Sequence, residues 1–398
     1  MNINFIYLRS KISTDSRFYD SEKEKFLSEL NYKNDLKITK DGFTIFFIET
    51  GGTEEEFKEI YLNYKEPYYL LATNANNSLP ASLEIASFLS KHSKKFVLVH
   101  GTPKEIHDKL LVLKETKRVN QYPLNKRVDV LKGKRYGVIG KPSDWLISSD
   151  VDYVNAKDKF GVELIDVKFN EFKNEINHAK DIIDPVVFEP LLNEKVDRKT
   201  LVGALKIYSA LREIIKRYKL DGVTVRCFDL LGTLHNTSCL ALAMLNKDGY
   251  IAACEGDVPA LLSMAIIREA FHKSAFQVNP SYINEKDKYG YFAHCTIPLD
   301  MCLDYTFDTH FESGLGIGIK GRLNLGNVTI FKLSSSLNEF ECYKGKISAN
   351  LHQSNLCRTQ VKVEFDEDIS SLLSSPLGNH LLIVTGDLKE KIKSLISK

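Results

Sequence analysis

Two carboxylates stand two residues apart in the run Cys254-Glu255-Gly256-Asp257, between an apolar stretch and a helical one. At a strand's end beside a helix N-terminus, such a pair can bind a divalent cation or share acid/base work. The same placement also suits acids that complement a helix dipole. Three imidazoles follow: His294 closing the apolar run from Phe292, His310 in Thr309-His310-Phe311-Glu312-Ser313-Gly314, and His380 in Pro376-Leu377-Gly378-Asn379-His380. Together Glu255, His294, His310 and His380 offer the mixed carboxylate and imidazole donors that suit manganese and similar ions. Each histidine alone is equally at home as a hydrogen-bonded structural residue, and only a fold can make them converge.

The elements that must position these residues change in character along the chain. From residue 1 to about 122, buried strands at Ile3–Leu8, Phe43–Ile48, Tyr68–Ala72 and Phe96–Val99 alternate with helical stretches such as Ala81–Ser90. That rhythm predicts a doubly wound parallel sheet. Its loops Glu49–Thr53 and Thr73–Ser78 follow strands, where ligands of such folds lie. A second α/β unit is expected over 123–290. It opens with the strand Tyr136–Gly140 and a helix capped by Ser143 or Asp144 after Pro142. Gly137 and Gly140 lack the third glycine of a dinucleotide fingerprint. From 291 to 398 glycine-punctuated stretches, among them Gly314–Gly321, predict an antiparallel β domain.

Composition narrows the function classes. The 398 residues carry 54 Lys+Arg against 52 Asp+Glu, a formal charge of +2, so the global footprint of a nucleic-acid binder is missing. No apolar run approaches the roughly 20 residues of a membrane span. The apolar N-terminus lacks a basic leader region and reads as a first strand, which predicts a cytoplasmic protein. Seven cysteines without a C-x-x-C pair argue against a disulfide framework or a zinc knuckle.

The order of segments resembles the L-fucose/L-arabinose isomerase superfamily. The run Asp221–Asp229, then Asn236-Thr237-Ser238-Cys239-Leu240-Ala241, then Ala253–Ala260 is similar to the family's central-domain signature. Ala293-His294-Cys295-Thr296, His310-Phe311-Glu312-Ser313-Gly314 and Gly378-Asn379-His380 match its C-terminal domain in the same order. The resemblance implies two doubly wound α/β domains, a C-terminal β domain and a homo-oligomer, trimer or hexamer. It implies a sugar ketol isomerase that uses a divalent metal, usually Mn²⁺, and an enediol. Glu255 then matches the first metal-binding carboxylate, with acid/base duty, and His380 the C-terminal histidine ligand. His294 is similar to a further histidine of the arabinose-type enzymes.

The second carboxylate is where the chain departs. Its strand reads Ser274-Ala275-Phe276-Gln277-Val278-Asn279-Pro280-Ser281, which aligns Gln277 or Asn279, both neutral amides that cannot act as a base near neutral pH. Asp257 is a candidate to replace it, and Gln277, Asn279, His310, Glu312 and Asn379 are candidate sugar contacts. The expected function is a metal-dependent aldose–ketose isomerase. The alternative is a catalytically altered or inactive isomerase-fold protein that binds sugar or serves assembly. Neither nucleic acid nor membrane is expected as a partner.

Overall fold

A computed structural model describes residues 1–11, 16–113, 121–124, 127–180 and 182–397. Apolar runs at the N-terminus pair as β1 (Asn2–Leu8), β2 (Lys37–Ile38), β3 (Phe43–Ile48), β4 (Tyr68–Ala72) and β5 (Phe96–His100). All pairings are parallel, in the order β2-β1-β3-β4-β5. After the short β6 (Tyr122–Pro123), a second parallel sheet holds β7 (Arg135–Ile139), β8 (Glu163–Val167), β9 (Gly222–Val225) and β10 (Ile251–Cys254), ordered β10-β9-β7-β8. Strand order reverses between β1 and β3 in the first sheet and between β7 and β9 in the second. Crevices therefore open at the carboxyl ends of both.

The third sheet is antiparallel and uses β11 (Phe276–Asn284), β12 (Tyr289–His294), β15 (Gly326–Leu333), β16 (Glu339–Asn350), β17 (Thr359–Phe365) and β18 (Leu381–Thr385). Its order is β15-β18-β11-β12-β17-β16, and β15 also pairs with β16, so the six strands close into a barrel that removes their edges. β6 adds to β16, while β13 (Cys302–Asp308) and β14 (Gly318–Leu323) form a separate hairpin. The expected order of two parallel α/β sheets and a C-terminal antiparallel domain holds. The expected division at 290/291 falls inside a strand pair, because β11 and β12 register with each other and belong to the barrel.

One local expectation fails. No helix follows Pro142; residues 141–152 are turns, and the next helix is Tyr153–Phe160, capped by Asp152. Lys141 adopts φ +68°, and Asp144 is taken by the Arg226 guanidinium at 2.8 Å instead of capping a helix.

The helix Ser78–Lys91 is buried from Ser78 to Leu89 and packs on the first sheet and on β11. Its Glu84, fully buried, accepts from Ser148 N (2.7 Å), Ser149 Oγ (3.1 Å) and Asn379 N (3.1 Å). These bonds offset much of the cost of burying the carboxyl. Glu84 thereby ties the first sheet's helix to the turns after β7 and to the loop before β18.

Candidate active site

β10 ends in a corner. Glu255 (φ +64°) and Gly256 (φ +72°) both take the left-handed conformation, which is uncommon for a residue with a side chain and characteristic of functional turns. Gly256 is required there, since a Cβ would meet Lys141 O at 2.3 Å. The corner is held by Ser143 N on Glu255 O (2.9 Å) and Gly256 N on Val225 O (3.0 Å). It sends the Glu255 carboxylate sideways while Asp257 caps the next helix, Oδ1 accepting from Ala260 N at 2.7 Å.

The barrel brings its residues to the same place. His294 ends β12, His380 precedes β18, and both strands flank β11, which carries Asn279. Glu255 Oε1 lies 3.3 Å from His380 Nε2 and 3.7 Å from His294 Nε2, and Trp145 Nε1 donates to Oε2 at 2.6 Å. The donor atoms of Glu255, His294 and His380 all lie within 4.8 Å of one another. Bonds of about 2.1 Å to one ion hold neighbouring ligand atoms roughly 3 to 3.5 Å apart. His380 Nε2 is buried and makes no well-directed hydrogen bond, its nearest polar neighbour being Glu255 Oε1. The donor set therefore fits a divalent cation.

Electrostatics agree with the geometry. Burial alone would raise the Glu255 carboxyl, but the His380 and His294 imidazoles hold it well below the usual carboxylate range. Burial opposes charge on His380, yet Glu255 and Asp257 raise it to about 9. Burial lowers His294 despite Glu255 beside it. His380 Nδ1 pairs with Asp257 Oδ2 at 2.8 Å, and His294 Nδ1 meets Thr296 Oγ1 at 2.8 Å. Each ring's other nitrogen is thus left facing Glu255.

The remaining candidates separate. Asp257 stands behind His380, fully buried, and lines neither of the two cavities that adjoin Glu255. Gln277 lines neither: its Oε1 accepts from Cys254 N at 2.8 Å and its Nε2 reaches Cys254 O at 3.5 Å, so the amide satisfies the open edge of β10. Asn279, two residues on, lines both cavities, and its Oδ1 is buried without a partner. His310 faces Ser313 Oγ (3.1 Å), stands edge-on to Phe228, and is lowered to about 4 by burial. Glu312 accepts from Asn77 Nδ2 at 2.7 Å and is pushed up to about 7 by burial. Asn379 lines the cavity with an unpaired Oδ1.

The cavities, about 440 and 480 Å³, share Asn77, Phe228, Glu255, Asn279 and Glu312. Cys227, Cys239, Cys254, Cys295 and Cys357 line the smaller one, all free. Neighbouring thiols and burial keep Cys254 and Cys295 protonated, so this wall behaves as weakly apolar surface. The larger cavity adds Ser10, Glu54 and Trp145, none of which residue type or spacing had marked as a contact. Their one signal is position, after β1, β3 and β7 at the two reversals of strand order.

No family model matches the chain. Among curated relatives, the sulfoquinovose isomerases of Priestia aryabhattai and Priestia megaterium are each 24% identical over 342 residues, covering 80% of this chain and 73% of the relative. A sulfoquinovose isomerase of Alkalicoccus urumqiensis is 22% identical over 338 residues, covering 80% and 74%. Similarity to these enzymes along four-fifths of the chain, at low identity, supports its place in the L-fucose/L-arabinose isomerase superfamily, to which they belong.

Proposed function

We propose that this protein is a metal-dependent aldose–ketose isomerase whose cation is held by Glu255, His294 and His380. The observation that carries the reading is the convergence of those three donors, whose ligand atoms all lie within 4.8 Å of one another. A bound divalent ion such as Mn²⁺ supplies positive charge to the two adjacent oxygens of an open-chain sugar, favouring the enediol. Glu255 serves as the base that takes the C2 proton, and Trp145 fixes its carboxylate by holding Oε2. Asn279 and Asn379 offer unpaired amide oxygens to sugar hydroxyls, and Glu312 and His310 complete the polar wall. Asp257 is a positioning residue acting through His380.

Isomerisation is carried over from the relatives, and their sulfonated substrate is not. Glu255 gives the cavity a negative charge, and among its described lining residues no lysine or arginine stands ready to pair a sulfonate. The sugar of this reading is neutral. A cytoplasmic homo-oligomer, trimer or hexamer, belongs to the same proposal; among the described residues no helix is long and apolar enough to cross a membrane. A sugar-binding protein without catalysis is the second reading, favoured by the amide of Asn279 where the family carries a carboxylate.

The test is ketol isomerisation across neutral aldoses and ketoses, with Mn²⁺ supplied and metal content measured, beside Glu255→Gln. Turnover that needs the metal and disappears in the variant supports the enzyme. Stoichiometric sugar binding with neither metal nor turnover supports the second reading.

A further inference from the structure

Ketol isomerisation asks for two proton-transfer groups; the corner after β10 supplies Glu255, and on the barrel the neutral amide of Asn279 faces the cavity where a second carboxylate would stand. A carboxyl reaches the same cavity from the first sheet. Glu54 opens the helix Glu54–Ile60, directly after the loop that follows β3. It is 2% exposed, whereas its neighbours Glu55 and Glu56 are exposed. A carboxylate that merely complements a helix dipole behaves as those two do, in water. Glu54 instead lines the 480 Å³ cavity with Glu255, Asn279, Asn379 and Trp145, and its Oε2 is buried without a hydrogen-bond partner. An unpaired buried oxygen in a native structure marks strain, a catalytic role, or a water or ion that completes it, and here the atom belongs to a residue on the cavity wall. Burial, reinforced by Glu84 and Glu255 and opposed by backbone hydrogen bonds, raises the Glu54 carboxyl well above the usual carboxylate range.

Resting on the isomerase reading, we propose that Glu54 is the second acid/base residue of this cavity, taking the role that Asn279 cannot fill. From an aldose, Glu255 removes the C2 proton while the Glu54 acid gives its proton to the carbonyl oxygen O1, leaving the enediol. Glu255 then returns its proton to C1 as Glu54 takes the proton of the O2 hydroxyl, which yields the ketose and restores both groups. No external reductant or oxidant enters.

The chain's one tryptophan, Trp145, touches Glu255 in this cavity, so its fluorescence reports binding independently of turnover. The probes are glucitol and galactitol, reduced open-chain hexoses that bind without reacting. The experiment compares wild type, Glu54→Gln and Glu54→Asp for hexitol affinity, KM and kcat with Mn²⁺. The expected result is a Glu54→Gln protein whose hexitol affinity and KM stay within threefold of wild type while kcat falls at least a hundredfold. Glu54→Asp recovers part of that loss. An active wild type matched within threefold in kcat by Glu54→Gln overturns the role of Glu54 alone. Parallel loss of hexitol binding and turnover in both variants marks Glu54 as structural and overturns it as well. A wild type that turns over no sugar overturns the isomerase reading and this assignment with it.

Discussion

His380 Nδ1 lies 2.8 Å from Asp257 Oδ2, and that pairing decides what the other ring nitrogen can do. With Nδ1–H donated to the carboxylate, His380 keeps Nε2 as the nitrogen that faces Glu255, and a metal that displaces the Nε2 proton would meet its lone pair there. Asp257 also caps the helix Val258–Phe271 through its other oxygen, so one side chain fixes both the strand-to-helix corner and the ligand's tautomer.

Asp257→Asn separates those two duties. The amide oxygen still caps, since asparagine is as good at that position as aspartate. The amide N–H faces Nδ1, however, and drives the imidazole proton to Nε2. Mn²⁺ affinity, read by calorimetric titration, is expected to fall about 10- to 100-fold with a melting temperature close to wild type. Unchanged affinity would show that Asp257 is a cap and nothing more.

Asn279→Asp places an anionic oxygen where the unpaired amide Oδ1 now sits. An added carboxylate ligand is expected to tighten Mn²⁺ by tenfold or more, about 1.4 kcal/mol. Without metal, the new charge opposes Glu255 in a buried cavity, so the chelated variant is expected to melt below chelated wild type. Metal titration and paired melting curves check both signs.

What the sequence disclosed, and what it hid, follows from the range of the interactions. Apolar runs such as Phe43–Ile48 and Tyr68–Ala72 became the strands they spell, because both faces of a parallel sheet are buried. Glu255, His294 and His380 were marked by residue type and by motif order. Gln277 and Asn279 share one face of β11 by the two-residue period of a strand, so no local pattern separates them. Only the docking of β11 against β10 does, by engaging Gln277 with Cys254. Asn77 and Glu312 meet across 235 positions of sequence, and Trp145 reaches Glu255 because an expected helix is replaced by turns. Glu54 directly follows the loop Glu49–Thr53, and nothing in its local sequence separates it from the exposed Glu55 and Glu56.

Away from the cavity, Glu341 sets a pH dependence of stability. It is 1% exposed on β16, and burial pushes its carboxyl up to about 8 against the opposing pull of Lys332, with Tyr343 Oη 3.4 Å away. An unfolded chain releases this proton near 4.5, the folded chain near 8. Between those values the folded state binds the extra proton, so this group's stabilising contribution is present at acid pH and declines as pH rises through the window. The full decline is on the order of a few kcal/mol. Glu341→Gln keeps the shape and an acceptor for Tyr343 but cannot ionise. Urea midpoints of the metal-free proteins at pH 5 and pH 8 are therefore expected to diverge, wild type losing more stability than the variant. Parallel losses in the two proteins would mean that Glu341 is ionised in the folded state and paired with Lys332.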